Sequence, residues 1–274
     1  LQHGFTTSGQ SECVDKLVKT IWVNKKKGPT SITFEGHYFG NGSFLSRSLS
    51  SSTDCYFPVR HFDNPDSGNI SNILNQLENF IQENDVLGIW LEPIRQLDMK
   101  IMPKDVLLKI KKLANTNNIP LIYNETASQA FNYSNDYYFV SQDPTLTPNA
   151  GMIFLGGQGG LSFTDESLFL DKPLMMISTW DGDEFSFSAY RKGMEKILTH
   201  KDEFLKSKAT FNKKIKDVLS SYEVEDLELH NGVGSFRGKV SKVISNLFHK
   251  VDDKFLIDPK WKMMEEFNKR NDLS

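Results

Sequence analysis

Apolar residues follow two alternating patterns along the first half of the chain. One pattern has a helical period, with apolar residues three or four positions apart, and it covers residues 11–22, 71–84 and 103–118. The other is a short, nearly continuous apolar run, and it covers residues 31–35, 86–92 and 119–124. Runs of this length bounded by polar residues are typical of buried strands, so the sequence predicts that helices and strands alternate.

The order of these elements predicts the topology of a sheet. Consecutive strands joined by a helix form right-handed crossovers, and a series of such units builds a mainly parallel sheet. Ligands bind such sheets beyond the carboxyl ends of the strands. Glu92 ends one predicted strand and the pair Asn124–Glu125 ends the next, so we expect these polar residues to share one rim.

The pattern changes in the second half of the chain, after Asn149. The predicted elements there are two short strands around a glycine-rich turn (152–163), a strand (174–179), a long helix broken near His200 (184–222), two short strands (226–230 and 234–240) and a final helix (260–270). The fold class is therefore predicted as α/β. A large domain with a mostly parallel sheet covers residues 1–200, and a small C-terminal α+β domain covers residues 201–274.

Composition and charge narrow the class of protein. The chain has 274 residues, of which 38% are hydrophobic and 24% are charged, and its formal net charge is -3. This charge provides no basic surface for nucleic acid or anionic lipid. No apolar run approaches the roughly 20 residues that span a bilayer, and the first residues lack the pattern of a signal peptide. We expect a cytoplasmic protein with no nucleic-acid or membrane partner.

Cysteines and histidines predict no metal site. Cys13 and Cys55 are too few for a disulfide framework or a cysteine-only metal site, and we expect both to be buried or half-buried thiols. The six histidines show no pair at the spacing of a zinc site.

Four segments, taken in order, carry a resemblance to a known family. They are TTSGQSECVDKLVK (6–19), ITFEGHYFGNGS (32–43), VLGIWLEP through IPLIYNETASQAF (86–131), and IFLGGQGG with MISTWDGDE (153–160 and 176–184). Their order and spacing resemble the class III aminotransferases, fold-type I enzymes that use pyridoxal phosphate (PLP). The resemblance covers most of the chain and implies a fold-type I large domain. It also implies that a segment which precedes the first motif in the family is missing from this sequence.

The resemblance implies a set of cofactor-binding residues. Ser8, Gly9 and Gln10 match the turn that holds the phosphate at a helix N-terminus, and Tyr38 matches the aromatic residue that stacks on the pyridine ring. Thr179 matches a threonine that reaches the phosphate of the neighbouring subunit, which implies a dimer. From the residues alone, Ser8-Gly9 also fits an ordinary N-cap and turn, Tyr38 fits a loop aromatic, and Thr179 fits a strand end.

Two positions depart from the family where its chemistry is carried out. The aspartate that keeps the pyridinium nitrogen protonated is replaced by Asn124, while Glu125 keeps the neighbouring acid. An amide donates a hydrogen bond but does not stabilise the charged nitrogen as a carboxylate does. The Schiff-base lysine is replaced by Ile153 or, with a different gap, by Leu155, and no lysine lies between Lys112 and Lys172. Without that amine no internal aldimine forms.

Arg95 is a third departure, because the family has a small or amide residue at this position. Its guanidinium adds a cation to the pocket rim predicted for Glu92 and Glu125. Two interpretations are open: a surface salt bridge, or a contact to an anionic group of a ligand.

Two functions are compatible with these features. The first is a catalytically degenerate class III aminotransferase homologue without catalytic residues, which acts as a dimeric scaffold, a ligand-binding domain or a silent subunit. It would bind no cofactor covalently, and would hold PLP or pyridoxamine phosphate (PMP) non-covalently if at all, or another small anionic ligand. Its partner would be a second copy or an active aminotransferase-like subunit. The alternative is an atypical PLP- or PMP-dependent enzyme of aminotransferase type, completed by a partner chain or a missing segment.

Overall fold

The computed structural model describes residues 1–25, 28–172, 175–259 and 261–269. The strands are β1 His3–Thr7, β2 Thr30–Phe34, β3 Val59–Phe62, β4 Val86–Leu91, β5 Leu121–Asn124, β6 Ala150–Gly156, β7 Gly159–Thr164, β8 Glu223–His230, β9 Val233–Lys239, β10 His249–Val251 and β11 Lys254–Ile257. The helices are α1 Gln10–Lys25, α2 Phe44–Ser50, α3 Ile70–Glu83, α4 Lys104–Thr116, α5 Glu184–Thr199, α6 Lys201–Leu219, α7 Lys242–Ser245 and α8 Trp261–Lys269.

Seven strands form a large sheet in the order β1-β7-β6-β5-β4-β2-β3. The neighbours from β6 to β3 are parallel, and β7 runs antiparallel to both β1 and β6. This confirms the predicted mostly parallel sheet. The strands β10-β11-β9-β8 form a second, antiparallel sheet, which packs with α6 and α8. The fold is therefore α/β, with a small α+β part at the C-terminal end, while the domain boundary at residues 200–201 stays a prediction.

Helices cover both faces of the large sheet. All six residues of β4 are buried, as expected of a parallel strand packed on two sides. Ile89 packs with α3 and α4, for example with Leu77 and Ile110, whereas Trp90 points to the opposite face and packs with Leu17 of α1. Successive side chains of a strand point to opposite faces. A strand such as β4 that is buried on both faces therefore requires a continuous apolar run.

The strand predicted at 174–179 is wrong for the residues that the structure describes. Residues 175–179 form a turn and irregular backbone, and residues 173 and 174 lie outside the described ranges. The Ser178 N–H donates to the carboxylate of Asp181 at 3.3 Å instead of to a strand. The side chain of Ile177 is 64% exposed. An apolar run forms a strand only when a neighbouring strand pairs with it, and the pattern alone does not supply that neighbour.

The prediction for the two thiols is half wrong. Cys13 is fully buried in α1, and burial raises the pKa of its thiol to about 11. Cys55, by contrast, lies exposed in the loop after α2, where its thiol donates to the Ser51 carbonyl at 3.2 Å. Its neighbours Tyr56 and Phe57 are exposed as well, so this loop stays at the surface although its sequence is partly apolar.

We expect one thiol per native chain to react with Ellman's reagent at pH 8.5, and two after unfolding. Cys55 is accessible, whereas Cys13 is both enclosed and kept protonated by burial. The Cys55→Ser variant, as a control, should show no reactive thiol until it is unfolded. Two fast thiols in the native wild type would contradict the packing of α1.

Candidate functional site

Polar side chains from two strand ends and from the start of α1 meet around the backbone of Tyr38, which follows β2. The Tyr38 N–H donates to Oε2 of Glu92 at 2.8 Å. The Tyr38 carbonyl accepts from Nδ2 of Asn124 at 2.8 Å and from Nε2 of Gln10 at 3.4 Å. The carboxyl ends of β4 and β5 and the start of α1 therefore converge at one point, which we call the Tyr38 node (Gln10, Tyr38, Glu92 and Asn124).

The amide of Asn124 is fully used by the protein itself. Its Nδ2 donates to the Tyr38 carbonyl and, at 3.2 Å, to Oε1 of Glu92. Its Oδ1 accepts from the backbone N–H and the hydroxyl of Thr126 at 3.1 and 2.7 Å. The side chain is completely buried. In this arrangement both donors and the acceptor of Asn124 are satisfied inside the fold, so its amide has no hydrogen left for a ring nitrogen.

Glu92 is a buried carboxylate surrounded by N–H donors. Besides Tyr38 and Asn124, the backbone and side-chain amides of Gln96 donate to its Oε1 at 3.2 and 3.1 Å. Burial raises the pKa of Glu92 to about 8, and the hydrogen bonds from Tyr38 and Gln96 oppose that rise. Glu92 therefore holds the Tyr38 node together as an acceptor for several N–H groups at once.

His37 is a member of the site that sequence reasoning missed. Its Nδ1 accepts from the Glu92 N–H at 2.7 Å, and its Nε2 donates to Oδ1 of Asn64 at 3.0 Å. Burial lowers the pKa of His37 to about 3, so the imidazole is neutral at physiological pH. A signal was present in the sequence, because His37 directly follows the glycine turn after β2 and precedes Tyr38.

A carboxylate of the chain itself lies at the Ser8-Gly9-Gln10 turn. The N–H and the hydroxyl of Ser8 both donate to Oε2 of Glu12, at 2.7 and 2.8 Å. The other oxygen of Glu12 accepts from the Ser178 hydroxyl at 2.6 Å. Burial acts against ionisation, but these hydrogen bonds prevail and lower the pKa of Glu12. Both donors of Ser8 are thus occupied by a carboxylate from the first turn of α1, as in the cap of a helix.

The segment that contains Thr179 packs against this turn. Asp181 forms an ion pair with Lys16 of α1, whose Nζ also donates to the Thr6 carbonyl at 2.7 Å. The Thr179 side chain itself is exposed. The contacts to α1 are made by its neighbours Ser178 and Asp181 of the same chain.

Neither residue at the lysine position carries an amine. Ile153 is buried within β6, opposite Leu161 on β7. Leu155 lies at the end of β6 and lines a cavity of about 780 Å³, which we call the central cavity. The central cavity is bounded by residues 126–138 after β5, by the end of β6, by α5 and α6, and by residues near β9 and α8. Its lining does not include the Tyr38 node, Ser8, Gly9 or Thr179.

Glu125 and Arg95 are both engaged within the protein. Glu125 is buried and its carboxylate accepts from the Ser141 N–H at 3.2 Å, while burial raises its pKa. Arg95 forms an ion pair with Asp98, and its Nη1 donates to the Glu35 carbonyl at 3.2 Å. These contacts support the salt-bridge interpretation of Arg95.

PLP does not fit these residues in the way that the aminotransferase family holds it. The Asn124 amide is saturated, the Ser8 donors are taken by Glu12, and an apolar side chain stands at the lysine position. A phosphate at the turn would have to displace the Glu12 carboxylate, and a pyridine nitrogen would have to displace a hydrogen bond of Asn124.

Comparisons with known sequences find no relative, whereas comparisons with solved structures identify the fold. No family model matches the sequence, and no curated protein matches it closely enough to be a recognisable relative.

Among the described residues, no helix is both long and apolar enough to cross a membrane.

Solved structures, in contrast, match almost the whole chain. A transaminase from the marine bacterium Virgibacillus aligns with a TM-score of 0.79 and 17% identity, covering 98% of this chain and 73% of that one. Lysine aminotransferase from M. tuberculosis, in its internal aldimine form, aligns with a TM-score of 0.82 and 14% identity over 98% and 74% of the two chains.

Taurine:2-oxoglutarate aminotransferase from Bifidobacterium kashiwanohense, solved with PLP and glutamate, aligns with a TM-score of 0.79 and 13% identity over 97% and 73%. Identities this low establish a shared fold and not a shared activity. The chain therefore has the fold-type I architecture of the PLP-dependent aminotransferases.

Proposed function

We propose that this chain is a catalytically degenerate aminotransferase homologue, which acts as a dimeric scaffold, a ligand-binding domain or a silent subunit. The observation that carries the proposal is the closed hydrogen-bonding network of Asn124. At this position the resembling enzymes present an aspartate to the cofactor, and here an amide is committed to Tyr38, Glu92 and Thr126. The apolar residues Ile153 and Leu155 also support the proposal, because neither side chain can form a Schiff base.

We expect no stoichiometric PLP adduct when the purified chain is treated with PLP and then with borohydride. The reagent reduces an imine to a stable secondary amine, so mass spectrometry of the digested protein locates any lysine that forms one. Scattered labelling of exposed lysines at low yield is the expected result. A single lysine labelled by PLP at stoichiometric yield would refute the proposal and favour the alternative of an atypical PLP enzyme.

A matched variant tests whether the fold still accepts the family's chemistry. Leu155→Lys places an amine in the central cavity, and Asn124→Asp restores the family's acid. We expect neither variant alone to develop the visible absorbance of a PLP aldimine, because the Ser8 turn stays occupied by Glu12. Development of that absorbance in Leu155→Lys alone would mean that the cofactor pocket is intact apart from the lysine.

The proposal includes a dimer, and the surface around α5 supports it. None of the 16 residues of α5 is fully buried. Large apolar side chains are exposed there and just before it, with Phe185 84%, Ile177 64% and Trp180 57% exposed. Exposed apolar side chains of this size are typical of a face that contacts another protein chain when they lie together in one patch.

We expect light scattering to give the mass of a dimer at micromolar concentration. Replacing both Trp180 and Phe185 with Glu should shift the protein to a monomer, because two charges cannot be buried in an apolar contact without a large desolvation cost. Leu108→Glu, at an exposed apolar position on α4, is the matched control and should stay dimeric. A monomeric wild type would contradict this part of the proposal.

A further inference from the structure

Of the two lysines that are buried among the described residues, Lys16 forms an ion pair with Asp181, and Lys208 has a different environment. Lys208 is on α6, and 4% of its surface is exposed. Its Nζ donates to the Ala130 carbonyl at 2.8 Å and to Oδ1 of Asn132 at 2.5 Å. Both oxygens are neutral, and within the described part of the chain no carboxylate forms an ion pair with this amine.

The surroundings of Lys208 favour its uncharged form. Its aliphatic stem runs close to Gly232, where an added Cβ would come within 3.3 Å of the Lys208 Cγ. The face of the Phe204 ring, whose centre lies 4.9 Å from Nζ, favours the charged form, and burial outweighs this contact. Burial lowers the pKa of Lys208 to about 7, and the negative charge of Asp258 opposes this shift only in part. A buried amine without a carboxylate at ion-pair distance loses its proton more readily than an exposed lysine does.

Lys208 also lines the central cavity, which offers it room for a ligand. The cavity measures about 780 Å³, and Lys208 is the one cation among the described residues that line it. Most of its lining is apolar, with side chains such as Phe154, Leu155, Met194 and Ile197. The other titratable groups that face the cavity are Tyr138, Tyr190 and Asp258. A lysine that is desolvated in an apolar pocket is a nucleophile for carbonyl carbons.

We propose that Lys208 forms an imine with a small, uncharged, apolar aldehyde or ketone bound in the central cavity. The Nζ lone pair adds to the carbonyl carbon, and a proton moves from nitrogen to oxygen to give a carbinolamine. The C–O bond then breaks, the oxygen leaves as water with the second N–H proton, and a C=N bond forms. When the imine nitrogen takes up a proton, its N–H donates to the Ala130 carbonyl or to Asn132.

The site differs from the lysine site of the resembling enzymes in position and in ligand. Lys208 lies on α6 rather than after β6, and the cavity has no second cation among its described lining residues to balance a phosphate dianion. An apolar carbonyl compound therefore fits the cavity, and PLP does not. The inference does not rest on the proposed scaffold function.

A purely structural role for Lys208 is the competing explanation. Ala130 and Phe131 both have left-handed backbone conformations, with φ of 56° and 59°, which are unfavourable for residues other than glycine. Lys208 binds the carbonyl of Ala130 and the side chain of Asn132, so it also stabilises this strained loop. A lysine that serves only as this tether would be protected from reagents instead of reactive.

Reductive labelling with butanal distinguishes the two explanations. The native protein is incubated at pH 7 with butanal and cyanoborohydride, which reduces imines but not the aldehyde, and is then digested with a protease that does not cleave at lysine. Mass spectrometry follows the butylation of Lys208 and of two exposed lysines of the same helix, Lys206 and Lys213. An amine of pKa near 7 exceeds an ordinary lysine in neutral fraction by on the order of a thousandfold at pH 7.

After allowance for lower nucleophilicity and restricted access, we expect Lys208 to react at least about tenfold faster than the two exposed lysines. Its rate should level off above pH 8, while theirs keeps rising. The Lys208→Arg variant retains the donors for the 130–132 loop and should lose this fast labelling only. Should that variant fail to fold, the wild-type ratio and pH profile decide alone. A Lys208 that is unlabelled, or labelled no faster than Lys206 and Lys213, overturns the proposal.

Discussion

The Asn124→Asp variant is expected to lose about 3–5 kcal/mol of its free energy of unfolding at pH 8, the range for an uncompensated buried charge. The substitution would place a carboxylate against the Tyr38 carbonyl and Oε1 of Glu92, the two acceptors to which the Asn124 amide now donates at 2.8 and 3.2 Å. Two donated hydrogen bonds would become two repulsive contacts in a site without water access.

Urea-induced unfolding followed by circular dichroism measures this loss. Below about pH 7 the variant should recover part of the loss, because Glu92, whose pKa burial raises to about 8, is then protonated and can donate to the new carboxylate. Asn75→Asp, at an exposed position on α3, is the matched control and should change stability by no more than about 0.5 kcal/mol. A loss below about 1 kcal/mol in Asn124→Asp would mean that the Asn124 network is loose enough to serve a ligand.

A double variant shows whether the contact with Glu92 or the contact with the Tyr38 carbonyl causes the loss of stability in Asn124→Asp. In Asn124→Asp with Glu92→Gln, the new amide can donate to the new acid, although the N–H groups of Gln96 then face a donor. We therefore expect the pair to be more stable than the sum of its single changes by about 1–2 kcal/mol. If the free-energy changes of the two single substitutions simply add, the loss of stability in Asn124→Asp comes from the contact with the Tyr38 carbonyl and not from the contact with Glu92.

The pH dependence of stability should carry the signature of His37. Its pKa is about 3 in the folded protein against 6.5 in an unfolded chain. Between these values the unfolded state binds more protons than the folded state, so this group makes the folded protein less stable as the pH falls below 6.5. The slope is about 1.4 kcal/mol per pH unit between pH 4 and 6.

The opposite contribution of Glu92 makes a difference measurement necessary. Its pKa is about 8 in the folded protein and 4.5 in the unfolded chain, so over this range it makes the protein more stable as the pH falls. Comparing wild type with His37→Gln isolates His37, because Gln can both accept from the Glu92 N–H and donate to Asn64. We expect the free energy of unfolding of His37→Gln, relative to that of wild type, to rise by about 1.4 kcal/mol per pH unit as the pH falls from 6 to 4, whereas the exposed-site control His249→Gln should show no such pH-dependent difference from wild type. Identical profiles for His37→Gln and wild type would exclude a neutral, buried His37.

Much of the large sheet and its helices could be predicted from the sequence. The helical periods at 11–22, 71–84 and 103–118 correspond to α1, α3 and α4, and the break near His200 separates α5 from α6. These elements are long and strongly patterned, so local hydrophobic periodicity specifies them. The short strands β1 and β3 were not predicted, since four or five residues of mixed polarity are defined by the neighbouring strand with which they pair.

The sequence by itself also determined that no lysine lies between Lys112 and Lys172. The resemblance of its motifs implies that Ile153 or Leu155 replaces the family's lysine and that Asn124 replaces its aspartate, and this stays a prediction. Only the tertiary structure decided what these positions do instead. The saturation of Asn124, the Glu12 carboxylate at the Ser8 turn and the buried amine of Lys208 all depend on residues distant in sequence. Hydrogen-bond partners and desolvation are properties of the three-dimensional packing, and no local pattern along the chain encodes them.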